Sequence, residues 1–341
     1  MSVSVYKPVL KRKDMDAVLS TMVEENIGPG SEMRKFCLEV SRVLGVEKGL
    51  AFRDREKALV VALQGLEIEP GKGIIISALS PSHYAAAINS AGLVPVYADV
   101  DPDTACVTPA SVEAVMSEDI RAMIVHYPFG YVPEIEKLIE YGIPVIEDVS
   151  QAIVTTLEER AAGSFGSLCL IDLEWNSMIT AGGGCLLFPC DKKYRRQFKP
   201  IFEALPEHLL LPDMNAALGT VQILSLDKRN VERQEIEEIF RKSLMKSRHK
   251  TFLQRGEWKN VPFCFPVILQ SAMNDVIQYT HKKGVMIEPA FGASVLSQYP
   301  DERYPCPHAQ TVMLRTVMFP LYPMLGKKNI GTISKVLATL P

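Results

Sequence analysis

A chain of 341 residues with 40 acidic against 37 basic side chains carries a formal net charge of −3, which argues against nucleic acid or an anionic membrane as its main partner. The hydrophobic share of 47% and charged share of 23% are those of a globular protein, long enough for one large domain and a smaller one. The opening "MSVSVYKPVLKRKDMD" lacks the apolar run of a secretory signal, and no later run is long enough to span a bilayer, so a cytoplasmic location is expected. The seven cysteines are scattered and odd in number. Cys185 and Cys190 are the nearest pair, with no second pair or histidine cluster to complete a zinc site, so free buried thiols are expected and no metal.

In chain order, "IGPGSE" reads as a turn with a serine cap, and residues 33–44 as a helix with apolar Phe36, Leu38, Val40 and Val43. A second helix is predicted over 57–66, ending at "EPGKG". The continuous apolar run "GIIISAL" suits a strand buried on both faces. Then "HYAAAINSAG" reads as helix, "VPVYADV" as strand, "SVEAVMS" as helix, "RAMIVHYP" as strand, "PEIEKLIEYG" as helix and "IPVIEDV" as strand. This alternation with short loops predicts an α/β fold, a mostly parallel sheet between layers of helices. "SLCLIDL" and "GGCLLFP" read as two further strands in hairpin order, and residues 206–248 as long and helical. The last ninety or so residues, with strands "VPFCFPVIL" and "VMIEPAF" and helices "AMNDVIQYTHKKG" and "IGTISKVLATL", read as a small C-terminal α+β domain. The division expected is 1–245 and 246–341, with an N-terminal arm and a dimer or linking helix near 213–245.

Six stretches, in this order and spacing, carry a resemblance: "IGPGSEMRKFCLEVSRVLGVEKGLA", "AGLVPVYADVDPDT", "PVIEDVSQA", "GSFG", "NAALGTVQ" and "CPHAQTVMLRTVMFPLYP". With them the chain resembles, nearly end to end, the DegT/DnrJ/StrS family of sugar aminotransferases, enzymes of fold type I (aspartate aminotransferase-like) that depend on pyridoxal phosphate. The resemblance implies that Asp148 is the carboxylate that keeps the cofactor's pyridine nitrogen protonated, making the ring an electron sink. It implies that Gln151 touches the ring's phenolic oxygen. On the residues alone, Asp148 caps the following turn and Gln151 bonds backbone, and both alternatives stand here.

The family's lysine, which forms the cofactor imine and shuttles the proton, falls by gap-free alignment from Gly166 to Gly184 on Ser177, and no lysine lies between Lys137 and Lys192. Serine has no amine and forms no imine. Where the family places a serine on the cofactor phosphate stands Asp172; a carboxylate there repels a phosphate dianion by a few kcal/mol in a partly desolvated site. The family's small serine-glycine-threonine phosphate turn aligns with "AFRDREKAL", in which Arg55 and Glu56 replace glycine and threonine and Asp54 is placed to cap the helix itself. Arg53 and Arg55 are the opposing signal, cations that still suit some anion. The aromatic that stacks on the ring aligns with Pro81, with His83 and Tyr84 displaced by two or three positions, and the trans-donated asparagine-tyrosine-arginine element aligns with His208, Leu209 and Leu210. His126 ends a strand on the cofactor side, either as a buried histidine bonded to backbone or as a site residue. Gly182–Gly184 lacks the lysine and helix of a phosphate loop and reads as a tight turn.

These substitutions together favour a degenerate aminotransferase homologue that holds no cofactor, with a binding or partner role in nucleotide-sugar or polysaccharide metabolism: it binds a nucleotide-sugar or similar metabolite, or pairs, as a homodimer or with an active homologue. Two alternatives stand beside it. One is an altered enzyme, aminotransferase or dehydratase, using pyridoxal phosphate or its amino form (pyridoxamine phosphate). The other is transamination with an unaligned lysine, Lys57 being nearest.

Overall fold

The computed structural model describes residues 2–25 and 27–341. Seven strands form the main sheet, in the order Leu50–Phe52, Cys185–Pro189, Leu168–Asp172, Val145–Asp148, Ile120–His126, Gly73–Ser77, Val94–Ala98. The last five of that order run parallel, as β-α alternation requires. Cys185–Pro189 returns antiparallel beside Leu168–Asp172, the hairpin expected from the sequence, and Leu50–Phe52 closes that edge, also antiparallel. All five residues of Gly73–Ser77 are buried, which is why the run is apolar without alternation. Ser77, His126, Asp148 and Asp172 are each the last residue of a parallel strand, so polar groups far apart in sequence gather along one end of the sheet.

The helix after "IGPG" spans Ser31–Leu44 and buries Met33, Phe36, Cys37, Val40 and Leu44. Leu38 and Val43, counted among its apolar positions from the sequence, face outward, 51% and 37% exposed. Its cap also differs from expectation. Ser31 is the first helical residue, and Asp213, opening the helix Asp213–Leu224, accepts from Gly30 N at 2.7 Å, Met33 N at 2.8 Å and Glu32 N at 3.1 Å. A Cβ at Gly30 would lie 2.7 Å from Asp213 Oδ2, so glycine is what lets this cap close. The long helical stretch is two helices, Asp213–Leu224 and Leu226–Leu244, parted at Ser225, whose hydroxyl bonds back to Val221 O and Gln222 O. Helices Arg12–Val23 and Lys192–Ala204 were not legible: the first packs on Asp213–Leu224, and the second contains Pro200 and buries only Tyr194 and Phe198.

A second, smaller hydrophobic cluster surrounds the antiparallel sheet Phe265–Ile268, Thr316–Phe319, Glu288–Pro289, covered by Leu226–Leu244 and Lys327–Ala338. Val3 joins this cluster through a parallel bridge to Val285, so the start of the chain packs with its last third. The seven cysteines are free, and all but Cys190 are buried. Among the described residues no helix is long and apolar enough to cross a membrane, and no three His, Cys, Asp or Glu side chains are grouped to hold a metal.

Glu147 fastens the end of the sheet to the "GSFG" turn. Wholly buried in its strand, it accepts from Gly163 N at 3.0 Å, Phe165 N at 2.7 Å, Gly166 N and the Tyr127 hydroxyl. Replacing it by alanine would strand three backbone donors and a hydroxyl in a dry interior, each costing roughly 1–3 kcal/mol. We predict that Glu147→Ala lowers urea-measured stability by at least about 3 kcal/mol, whereas Glu39→Ala on the surface changes it little.

Candidate functional site

At the carboxyl end of the sheet, Asp148 is 5% exposed and both its carboxylate oxygens are engaged. Oδ2 accepts from the hydroxyl of Tyr84, and Oδ1 accepts from Ser150 N at 2.9 Å and from the Ser150 hydroxyl. Tyr84 lies on the helix His83–Ser90, wholly buried, and burial followed by the neighbouring Asp148 holds its phenol well above the ordinary value, so it stays a donor. Ser150 Oγ in turn accepts from Asp172 N at 2.7 Å, tying the two strand ends together. Neither Tyr84 as Asp148's partner nor Ser150 was legible beforehand; the D-x-S spacing of an Asx turn was the available signal for the serine.

Asp172 Oδ2 receives Arg55 Nη1 at 3.0 Å. Arg55 is the first residue of the helix Arg55–Gly65, and Asp54 accepts from Lys57 N at 2.8 Å, so the helix supplies its own cap as the sequence indicated. Glu56 follows, half-buried, in the first turn. Asp172 Oδ1 is buried with no partner. Burial raises the Asp172 carboxyl to about 7, outweighing the pull of Arg55, with nearby Asp148 adding to the rise. His83, against Tyr84 with ring centroids 4.9 Å apart, is pushed down to about 4 by burial and then by Arg55, so it is neutral at neutral pH. His126 is 7% exposed, lowered by burial, and its Nδ1 has no partner, which differs from the backbone-bonded histidine considered from sequence.

The remaining sequence candidates are placed elsewhere. Gln151 Oε1 accepts from Phe129 N at 2.7 Å, the backbone-bonded alternative. Pro81 pairs with Ser294 in an antiparallel bridge. His208 is exposed, while Leu210 bridges Phe52 and Leu209 O accepts from Arg53 N, binding this segment to the edge strand of its own chain. Ser177 is half-buried, its N–H donating to Glu174 O at 3.0 Å, and it lines a cavity of about 30 Å³ under the N-terminal segment that includes Tyr6 and Lys7. Gly182, Gly183 and Gly184 all have positive φ, and a Cβ at Gly184 would meet Phe52 O at 2.5 Å, so the glycines make a turn pressed on the edge strand.

A carboxyl whose folded-state pKa lies above its unfolded value holds its proton more tightly when folded. For Asp172, moved from 3.8 to about 7, folded-state stability therefore falls as pH rises through that window and changes no further above it. We predict that the thermal midpoint of the wild type drops more between pH 5 and pH 8 than that of Asp172→Asn. The difference should be a few kcal/mol at most.

The DegT/DnrJ/EryC1/StrS aminotransferase family profile matches residues 8–338. The dTDP-4-dehydro-2,3,6-trideoxy-D-glucose 4-aminotransferase of Saccharopolyspora spinosa is 24% identical over 97% of this chain and 95% of its own length. Among solved structures, the aminotransferase TlmJ of Streptoalloteichus hindustanus superposes with a TM-score of 0.91 at 21% identity, covering 99% of this chain and 98% of its own. GDP-4-keto-6-deoxymannose-3-dehydratase with bound GDP-perosamine superposes with a TM-score of 0.87 at 15% identity, covering 98% and 99%. With this sheet, this hairpin and a profile match over nearly its whole length, the chain belongs to the DegT/DnrJ/EryC1/StrS aminotransferase family.

Proposed function

We propose that the chain is a degenerate member of its family that does not carry out transamination through pyridoxal phosphate and acts in nucleotide-sugar or polysaccharide metabolism by binding. The observation that carries this reading is the Arg55–Asp172 ion pair, 3.0 Å long, where the resemblance puts the cofactor phosphate. The residues present do not fit that group. Its phosphate would meet Asp172, with Asp148 and Glu174 close enough to be felt by Asp172, and among the described residues Arg55 is the cation bonded there. Displacing Asp172 from Arg55 to admit a phosphate would break that ion pair and, near neutral pH, require Asp172 to hold a proton beside the dianion. The ring nitrogen would have to compete with Tyr84 and Ser150 for Asp148. Ser177 supplies no amine.

What the chain's own residues can do is narrower. Asp148, Tyr84 and Ser150 form a closed hydrogen-bonded set that holds its protons in place, and neutral His83 beside it offers a polar face. The ligand this reading assigns to the cleft is a nucleotide-sugar or related metabolite, as the printed names of the relatives suggest for those proteins. The assembly assigned is a pair, with a second copy or an active homologue. In such a pair this chain would present His208, Leu209 and Leu210, which lack the charge of the family's trans-donated element.

A second reading rests on one observation, that Asp148 still ends its strand while the dehydratase shares the fold. In it, the chain holds the amino form of the cofactor noncovalently. Incubation with pyridoxal phosphate followed by borohydride and intact-mass measurement separates the readings. We expect an unmodified mass and no imine absorbance. A reduced adduct on Lys57 or any other single lysine would overturn the proposal, and amino-form cofactor surviving dialysis would establish the second reading.

Restoring the lysine alone should not restore the cofactor. We predict that Ser177→Lys still gives no reducible adduct, whereas Ser177→Lys combined with Arg55→Gly, Glu56→Thr and Asp172→Ser gains one. An adduct in the single variant would show that the ion pair is no obstacle.

A further inference from the structure

The cavity lined by Ser177 also carries cations that the functional reading leaves unused. Arg229 and Arg233, one helical turn apart on Leu226–Leu244, reach it from one side, and Lys7 from the N-terminal segment above. Both guanidiniums are buried, 5% and 7% exposed. Arg233 Nη1 donates only to neutral acceptors, the carbonyls of Phe263 at 2.7 Å, Leu321 at 3.1 Å and Pro262 at 3.2 Å. Arg229 Nη1 donates to Gln222 Oε1, its Nη2 stands 3.8 Å from Asp14 Oδ1, and its Nε is buried with no partner. Asp14 is itself shared, accepting from Gln222 Nε2 at 2.5 Å. Glu232, half-buried, also influences Arg229 through space. Arg229, Arg233 and Lys7 thus stand near Asp14 and Glu232, with Glu288 felt by Tyr6, and among the described residues only Asp14 of these carboxylates comes within 4 Å of either guanidinium, at a distance too long for a hydrogen bond.

Burying a guanidinium without a full partner is costly, and a bound counter-ion is the usual relief. A small anion would supply the charged partner that both guanidiniums lack within hydrogen-bond reach. The space of about 30 Å³ is roughly two waters' worth, since one water needs about 10–15 Å³. That admits a halide or a one-carbon carboxylate group. We propose that this cavity, roofed by Tyr6 and Lys7 and floored by Arg229, Arg233, Gln222 and Ser177, is a binding site for a small monovalent anion, either free or as the carboxylate end of a larger molecule.

The test follows the thermal midpoint of the full chain titrated with sodium bromide and, separately, sodium formate, against sodium sulfate at matched ionic strength. Sulfate stabilises proteins generally and nearly in proportion to its concentration. A bound ion instead gives a rise that follows the logarithm of concentration above its dissociation constant, about 2–3 °C at ten times that constant for a chain of this size. Lys7→Gln, at an exposed position, should raise that constant several-fold. Asp14→Asn should lower it by about tenfold, because the competing carboxylate is gone, and Arg229→Gln should abolish the response. If Arg229→Gln fails to fold, the opposite shifts of the other two variants still decide. A logarithmic response to either ion, moved in these directions, supports the site. Linear responses to both, or a logarithmic response untouched by Lys7→Gln and Asp14→Asn, overturn it. Neither result depends on whether borohydride fixes a cofactor, so the two proposals fail separately.

Discussion

The bond between Arg55 and Asp172 is the constraint on which the reading of this protein turns. It is 3.0 Å long, joins the first residue of a helix to the last residue of a strand, and lies in the crevice where an α/β sheet ordinarily receives the charged part of a ligand. An anion-binding helix start needs free N–H groups, close backbone approach and a surplus of positive charge. Here Asp54 takes the Lys57 N–H, Arg55 stands where the resemblance expects glycine, and the charge of Arg55 is already answered.

The neighbouring groups are consistent with that change. Asp148 remains where the fold presents a carboxylate, yet its oxygens are held by a buried tyrosine and by the serine two residues on. Burial pushes Asp172 up to about 7 and His83 down to about 4, so near neutral pH burial works against the charged form of both. Buried guanidiniums with no hydrogen-bonded carboxylate lie instead beside the N-terminal segment, at Arg229 and Arg233.

Much of the fold was legible because the apolar runs match the burial each strand receives, as in Gly73–Ser77, and because glycine turns mark where chains press together, as at Gly184. What could not be read came from contacts between distant residues. Asp213 caps a helix more than 180 positions earlier, so Ser31 was taken for the cap. Leu38 and Val43 are apolar yet face outward, since helical spacing locates an apolar face and not what covers it. At the site, alignment located Asp148, Asp172 and Arg55 at one end of the fold. The pairing of Arg55 with Asp172 and of Tyr84 with Asp148 depends on tertiary closeness that spacing does not encode. The buried arginines were hidden for the same reason: within a long charged helix, Arg229 and Arg233 look like solvated residues.

The most direct check is a crystal structure of the full chain grown with excess pyridoxal phosphate. The account predicts Arg55 still bonded to Asp172, Tyr84 still on Asp148, and no ring between them. A ring nitrogen seated on Asp148, with its phosphate at the start of the helix Arg55–Gly65 and the ion pair opened, would contradict it.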